Sequence, residues 1–388
     1  MNAPTDFAAY LKQIPLFREL SADECMDIVR ACAIKPTKAG TVLCREGDPG
    51  DSMFVVESGE VHIGARTAQG TDEELGRQGP RTVVGEMALL DGNPRSATVT
   101  LTADGTIWRL AKADFDVLRG ALRPASFKVI RYLATVLCTR LRELDGKLEG
   151  FFARPVEALA LMRKRQAALE ADLKARIAAR AASGAVAPST SAPAPRKRLT
   201  LTMAPFVPPA GRGTAQIRAD FLGRLPAFNG LKPEEMLVLG GVLTERRLAP
   251  GETLCREGDP GDAFYILASG KFDVQKNVAG GAPQVIATTG PGTLVGEVSL
   301  IDGKRRSATV VAREQAWALR CAHDDFDRLF RAGSPLAFKF VDRLAADLSQ
   351  RVRDADARYT GLFSRPADTV EQLKLRVAEL ESTLEGGD

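Results

Sequence analysis

The hydrophobic and polar positions of the chain follow two patterns, and each pattern occurs twice. Residues 6–33 and 217–243 place apolar side chains at helical intervals, which predicts short helices. Residues 40–110 and 251–319 contain short β-branched or aromatic runs, such as Met53 to Val56, separated by turns rich in Gly and Asp. Strand-like runs at about ten-residue spacing are typical of a β-sandwich or jelly roll. The pattern therefore predicts mixed α+β domains in which helices flank a small β-structure.

The two halves of the sequence are copies of each other. A shift of 211 residues aligns the second half with the first without an insertion or deletion, and it pairs Cys44 with Cys255. Twelve of 24 positions are identical over residues 40–63, and 11 of 17 over residues 83–99. Because each copy is as long as a domain, the repeat indicates a domain duplication rather than a solenoid of short units.

Longer helices are predicted after each strand-rich region, over residues 124–148 and 335–359. Pro155 and Pro366 then begin a further helix in each copy, at the first helical position, where proline is tolerated. The last helix has a heptad-like series: Val370, Leu373, Val377, Leu380 and Leu384. A series of about two heptads is too short for a strong coiled coil. We expect these helices to pair, either within the chain or between two chains as a homodimer; the alternative is that they are inert extensions.

Residues 182–209 are rich in Ala, Pro, Ser and Thr without an apolar period, which predicts a disordered or extended linker. Within them, Arg196-Lys197-Arg198-Leu199-Thr200 resembles a basophilic-kinase site with Thr200 as acceptor, although most such short matches are accidental. The predicted organisation is domain A (1–155), a helical extension (156–182), the linker (183–215), domain B (216–366) and a short C-terminal heptad helix (367–388).

Two segments carry the candidate chemistry: residues 85–97, which read GEMALLDGNPRSA, and residues 296–308, which read GEVSLIDGKRRSA. A Gly lets backbone approach a ligand closely, and the run after it can form a helical turn whose N–H groups point at an anion. The Arg95 guanidinium suits a phosphodiester and the Glu86 carboxylate suits a sugar hydroxyl. A ligand with one phosphate charge and one free ribose hydroxyl is a cyclic nucleotide. The alternative is that Glu86 and Arg95 only form an internal ion pair.

These segments resemble the phosphate-binding cassette of the cyclic nucleotide-binding domain family, in which Gly-Glu-aliphatic-Ala-Leu is followed, after a short loop, by Pro-Arg-small-Ala. The first copy matches throughout, whereas the second has Ser299 where the family has Ala and Arg305 where it has Pro. The resemblance implies two tandem jelly-roll-like β-barrels, similar to the arrangement in regulatory subunits of cAMP-dependent protein kinase, with helices that close over the nucleotide. The ligand-binding residues that it implies are Gly85, Glu86, Ala88, Arg95, Ser96, Ala97, Gly296, Glu297, Ser299, Arg306, Ser307 and Ala308.

The residue after the cassette arginine bears on the choice of ligand. In the family, Thr at this position favours guanine, whereas Ala or Ser is usual in cAMP binders. Ser96 and Ser307 therefore favour cAMP as the ligand over the alternative, cGMP. Because a buried guanidinium without a partner is costly, we also expect Arg95 and Arg306 to face water without ligand and to contribute little to stability.

Members of the family differ in what is fused to the nucleotide sensor. The segment after residue 366 is too short for a helix-turn-helix domain, and no stretch of 18 apolar residues suits a channel. We therefore expect a receptor that signals through an unidentified effector protein. One alternative is a scaffold of two barrel domains that binds no nucleotide. Another is a transcription regulator that binds DNA through its basic linker.

Composition narrows these classes further. The net charge of +4, from 53 basic and 49 acidic residues, is too even to indicate a nucleic-acid partner. Six Cys without a CxxC pair and two unmatched histidines, His62 and His323, predict neither a metal site nor a disulfide framework. The start of the chain lacks a signal-peptide pattern, which favours a cytoplasmic protein without a membrane segment. No catalytic motif occurs, so no enzyme activity is predicted.

Overall fold

The computed structural model describes residues 4–66, 72–164, 166–168, 171, 214–225, 228, 231–277, 283–364, 369–371 and 373–374. The predicted linker up to residue 213, Thr200 and the last three positions of the heptad series lie outside these residues, whereas residues 214 and 215, also assigned to the linker, begin a helix.

The first copy begins with two helices, α1 (Pro4–Leu11) and α2 (Ala22–Ala31), joined by a 3₁₀ turn at Pro15–Phe17. A capping box starts α2: the Ser21 hydroxyl accepts the Glu24 N–H at 3.2 Å, and the Glu24 carboxylate accepts the Ser21 N–H at 2.7 Å. These bonds satisfy backbone donors that the first turn of a helix leaves free, so the helix begins at a defined residue.

The strands follow, with further helices among and after them: β1 (Cys32–Thr37), β2 (Val42–Cys44), β3 (Ser52–Val56), β4 (Glu60–Arg66), β5 (Asp72–Gln78), β6 (Thr82–Val84), α3 (Ala88–Asp91), β7 (Thr98–Ala103), β8 (Gly105–Ala111), α4 (Lys112–Gly120) and α5 (Pro124–Ala153).

The second copy repeats the same order: α6 (Thr214–Leu222), α7 (Pro233–Val242), β9 (Thr244–Leu248), β10 (Thr253–Cys255), β11 (Ala263–Ser269), β12 (Phe272–Lys276), β13 (Gln284–Thr289), β14 (Leu294–Val295), α8 (Glu297–Asp302), β15 (Thr309–Ala312), β16 (Ala316–Ala322), α9 (His323–Arg331) and α10 (Pro335–Ser364).

Each copy contains two four-stranded antiparallel sheets. Their strand orders are β1-β8-β3-β6 and β2-β7-β4-β5 in the first copy, and β9-β16-β11-β14 and β10-β15-β12-β13 in the second. The predicted mixed α+β fold is confirmed. The sheets do not close into the barrel that the family resemblance implied, because no ladder joins the edge strands of one sheet to the other among the described strands.

The core of the first copy lies between its sheets. Strand β3 alternates its side chains between two faces, and Phe54 and Val56 contribute to the inter-sheet cluster. The other members of this cluster are Val61, Val84, Val99, Leu101 and Ile107. Val55 and its cross-strand neighbour Trp108 are also fully buried. The Trp108 ring contacts Phe7 of α1 at 5.4 Å between ring centroids, so α1 covers part of this sheet.

The two copies contact each other within one compact unit, whose described residues end at Thr139 and resume from Thr214 to Gln350. The Arg119 Nη2 of α4 donates to both carboxylate oxygens of Asp342 on α10, at 2.6 and 2.8 Å. Both side chains are partly buried, so this ion pair is less screened by water than an exposed one.

A second unit contains the described residues from Arg140 to residue 171 and from Arg351 onward. Its apolar cluster joins the helical segments that follow the two long helices: Ala158, Met162, Val370 and Leu373, with Phe151 and Leu159 packed against them. Met162 and Leu373 are equivalent positions of the two copies, 211 residues apart. Pairing within the chain, one of the two predicted arrangements, is therefore present at the described residues.

None of the described helices is both long and apolar enough to span a membrane. All six cysteines lie in the described part and are free thiols.

Candidate functional site

Each cassette begins with a glycine, and any other residue at this position would strain the backbone. Gly85 has a φ of +72° and Gly296 a φ of +81°, in the left-handed region that favours glycine. A Cβ on Gly85 would also lie 2.7 Å from the Arg95 Nη1 atom, closer than packed atoms allow. The glycine therefore permits both the turn into the cassette helix, α3 or α8, and the close approach of the cassette arginine.

The Arg95 side chain lies inside the first cassette and is only 5% exposed. Its Nη1 donates to the Gly85 carbonyl at 3.1 Å, and its Nη2 donates to Asp51 Oδ1 and to the Ser52 hydroxyl, both at 3.1 Å. The guanidinium also lies 5.9 Å from the centroid of the Phe54 ring. Its Nε is buried and has no hydrogen-bond partner within the described residues. The Nε–H of the guanidinium is thus an unused buried donor.

The Arg306 side chain of the second cassette is equally buried, at 3% exposure. Its Nη2 donates to Asp262 Oδ1 at 3.2 Å and its Nη1 to the Ser299 hydroxyl at 3.0 Å. Ser299 in turn donates to the Gly296 carbonyl at 2.8 Å. The guanidinium lies 5.6 Å from the Tyr265 ring, in the position of Phe54 in the first copy.

A hydroxyl holds the arginine in both copies, but it comes from different elements. Ser52 on β3 supplies it in the first copy, where the cassette position is Ala88. Ser299 in the cassette supplies it in the second copy, where the strand position is Ala263. Ser299, which departs from the family pattern, therefore compensates for the loss of the strand hydroxyl, and both arginines keep a neutral oxygen partner.

The expectation that both arginines face water was wrong. Asp51 and Asp262, just before β3 and β11, bring a carboxylate to each guanidinium. This ion pair offsets the desolvation cost of burying the arginine. Both aspartates belong to the sequence Glu-Gly-Asp-Pro-Gly-Asp, one of the turns rich in Gly and Asp, which is identical in the two copies. The identity of this six-residue segment in both copies is the sequence signal that indicates a role beyond the turn.

Each aspartate also binds a second arginine. The Asp51 Oδ2 accepts from Arg109 of β8 at 2.9 Å, and the Asp262 Oδ2 accepts from Arg320 of β16 at 2.8 Å. The aspartate side chains are about two-thirds exposed, at 63% and 62%. A carboxylate that bridges a buried and a more exposed arginine can move toward water when another anion takes its place.

The protonation of both aspartates reflects these partners. Burial alone would raise the pKa of Asp51, but the hydrogen bond from Ser52 and the charges of Arg109 and Arg95 outweigh it and lower the pKa. For Asp262, burial is likewise outweighed by Arg320 and Arg306, and its pKa is also lowered. Both carboxylates are therefore ionised at neutral pH.

The remaining predicted residues lie around these arginines. Glu297 is buried at the start of α8, Glu86 is half-buried, and both residues make interactions within the protein. Ala88 is buried, whereas Ser96 and Ser307 are exposed. Ala97 and Ala308 are half-buried, and the Ala97 carbonyl lies 3.9 Å from the Cys44 sulfur. The exposed serines lie beside the arginines that the resemblance assigns to the phosphate.

The cyclic nucleotide-binding domain model matches residues 34–120 and 245–332, one match in each copy. The chain is 25% identical over 323 residues to a cAMP-dependent protein kinase regulatory subunit of Aspergillus niger, covering 81% of this chain and 56% of that one. It is 38% identical over 131 residues to a cyclic AMP receptor protein of Thermus thermophilus, covering 34% and 59%.

A solved structure, the regulatory domain of Toxoplasma gondii PKA with cAMP, aligns with 86% of this chain and 94% of its own at 20% identity and a TM-score of 0.29. The chain spans a little over half the length of the two curated relatives. Residues 34–120 and 245–332 each belong to the cyclic nucleotide-binding domain family, and the chain carries two such domains in tandem.

Proposed function

We propose that the chain is a receptor that binds one cyclic nucleotide in each domain, through Arg95 and Arg306. One observation carries this proposal: a buried guanidinium is held in each copy by a carboxylate that is itself largely exposed. A phosphodiester carries one negative charge, so it can replace the aspartate beside the arginine without leaving an unpaired buried charge. The free Nε of Arg95 supplies a donor for a further phosphate oxygen.

cAMP is the ligand that the cassettes favour, with cGMP as the alternative. The exposed hydroxyls of Ser96 and Ser307 stand where the family resemblance places the residue that discriminates between bases. The similarity to proteins named for cyclic AMP supports the same choice.

The output passes to an effector protein through the helices of the receptor. Helix α5 of the first copy touches α8 of the second cassette: the Thr135 hydroxyl donates to the Ile301 carbonyl at 3.3 Å, and the Cys138 sulfur lies 3.8 Å from the Val298 carbonyl. A nucleotide that reorders the second cassette would therefore displace α5. We assign no catalytic step to the chain, and its free thiols favour the cytoplasm.

A non-binding scaffold is the second candidate, because both cassette arginines already have partners within the protein. Calorimetric titration of the full chain with cAMP and cGMP, with 5′-AMP as a non-cyclic control, separates the two functions. The receptor proposal predicts saturable heat with a cyclic nucleotide and a much weaker response to 5′-AMP. No heat and no change in melting temperature with either cyclic nucleotide would support the scaffold.

A further inference from the structure

The two binding sites differ at the first residue of the helix that follows the second sheet. Lys112 begins α4 in the first copy, and its Nζ donates to Asp116 one turn later at 2.7 Å. His323 begins α9 in the second copy, 211 residues further on, with Asp327 in the place of Asp116. The first site therefore has a permanent positive charge at a position where the second has an imidazole, which can be neutral or charged.

His323 lies in the cluster that holds the second cassette arginine. Its backbone N–H donates to the Asp262 carbonyl at 2.9 Å, and the Asp262 carboxylate pairs with Arg306 and Arg320. The His323 Nε2 atom is buried and has no hydrogen-bond partner among the residues that the structure describes. A ring nitrogen in this state is open to a change of charge when the neighbouring charges change.

The charges around His323 come from each element that packs against it. Burial lowers the pKa of His323 most, and the Arg306 charge of the cassette lowers it further. The charges of Asp262 before β11 and Asp327 on α9 raise the pKa of His323, whereas the charge of Arg320 on β16 lowers it further. Asp327 is itself partly neutralised by its pair with Arg131 of α5 at 2.6 Å.

We propose that His323 couples the second site to pH, so that this site takes up a proton when it binds a cyclic nucleotide and binds more tightly as the pH falls. The proposal rests on the receptor function above. The first site, with Lys112, has no such coupling.

The direction follows from the charges. A protonated His323 repels the Arg306 guanidinium and attracts the Asp262 carboxylate, so it weakens the pair that holds Arg306 in the unliganded protein. The freed guanidinium is then available to the phosphate. A bound phosphate, in turn, offsets the charge of Arg306 and raises the proton affinity of His323. If that rise is about one pKa unit, affinity increases up to roughly tenfold as the pH falls from about 7.5 through the lowered pKa of His323.

The test measures proton uptake directly. The full chain is titrated with cAMP by calorimetry at about pH 7.5 and at about pH 5.5, below the ordinary histidine pKa of about 6.5, because the pKa of His323 is lowered. Each titration is made in two buffers that differ in ionisation enthalpy. The difference in observed heat gives the number of protons taken up per nucleotide. The same titration is made with His323→Gln, with His323→Lys, which installs the residue of the first copy, and with His62→Gln, which removes the other histidine of the chain.

We expect a fractional proton uptake in the wild type and in His62→Gln, and none in either His323 variant. His323→Lys should retain tight binding at both pH values, because its charge is permanent and Asp327 is placed to pair with it. Buffer-independent heat in the wild type, or uptake that survives in His323→Gln, overturns the proposal while the receptor function stands. Absence of any cyclic-nucleotide heat at either pH rejects the receptor function itself.

Discussion

Phe127 and Phe338 occupy the same position in the two copies and stack on each other, with ring centroids 4.5 Å apart and planes 4° apart. A residue that contacts its own counterpart lies on a two-fold axis, here an approximate axis within one chain. The flanking contacts obey the same relation. Arg119 pairs with Asp342 on one side, and Arg131 lies over the Phe330 ring at 4.8 Å on the other. Phe330 is the counterpart of Arg119 and Asp342 that of Arg131, so the same two positions meet twice, once as an ion pair and once as a cation–π contact. The duplication has therefore produced an internal dimer of domains.

This stack should couple the stability of the two domains. Phe127→Ala and Phe338→Ala should each destabilise the protein by about 3–5 kcal/mol, because both side chains are buried. Since each variant removes the same ring contact, the double variant should cost less than the sum, by about 0.5–1.5 kcal/mol. Chemical denaturation of the four proteins gives this coupling energy.

The matched comparison is Phe127→Ala with Phe272→Ala, because Phe272 belongs to the inter-sheet core of the second copy. That pair should be additive within error. Additivity of Phe127 and Phe338 would contradict the internal dimer.

The helical extensions should not determine the oligomeric state. Leu373 is fully buried against Ala158 and Met162 of the same chain. Leu373→Asp should therefore loosen the extensions, seen as lost helical circular dichroism, without changing the mass measured by light scattering. Lys374→Ala, at the exposed neighbouring position, is the control and should change neither quantity. A fall from dimer to monomer in Leu373→Asp would show that this side chain pairs between chains.

The Arg95 side chain should contribute to stability as well as to binding. Arg95→Ala removes a buried charge-assisted bond to Asp51 and leaves the Gly85 carbonyl without its donor. We expect a loss of about 1–3 kcal/mol in the free energy of unfolding. Arg109→Ala, which removes a more exposed partner of the same aspartate, should cost less. Equal costs, measured by urea unfolding, would mean that burial of Arg95 does not matter.

The aspartate pairs should make the protein sensitive to acid. Because the pKa values of Asp51 and Asp262 are lowered in the folded protein, their contribution is present above the unfolded value of about 3.9 and is lost as pH falls through the folded values. The Asp51→Asn/Asp262→Asn double variant should start less stable and lose less between about pH 5 and pH 3. Glu314→Gln, at an exposed position in the second copy, should follow the wild type.

The sequence predicted what depends on local pattern and repetition. The strands around Met53 to Val56, the cassette glycines and the long helices all follow from periodicity and turn residues, and the structure places them accordingly. Contacts between distant residues were not accessible in this way. The pair between Asp51 and Arg95 spans 44 positions, and the stack of Phe127 on Phe338 depends on how the copies pack. The swap of Ser52 for Ser299 also becomes meaningful only once each hydroxyl is seen at the cassette arginine of its own copy, Arg95 or Arg306.

The most direct test counts the nucleotide sites. Calorimetric titration with cAMP is made on the wild type, Arg95→Ala, Arg306→Ala and the double variant. The three variants are also made with Lys in place of Ala. Lys keeps a positive charge beside Asp51 and Asp262, so these variants should lose less stability than the Ala variants. Loss of a charge-assisted phosphate bond should weaken a site by about 1.5–3 kcal/mol, roughly ten- to a hundredfold.

The account predicts stoichiometries of about two, one, one and none, with Arg247→Ala, an exposed arginine of the second copy, binding like the wild type. Should only one site appear in the wild type, the first cassette is expected to hold it, because it matches the family pattern throughout. A double variant that binds cAMP as tightly as the wild type would contradict the assignment of both cassettes.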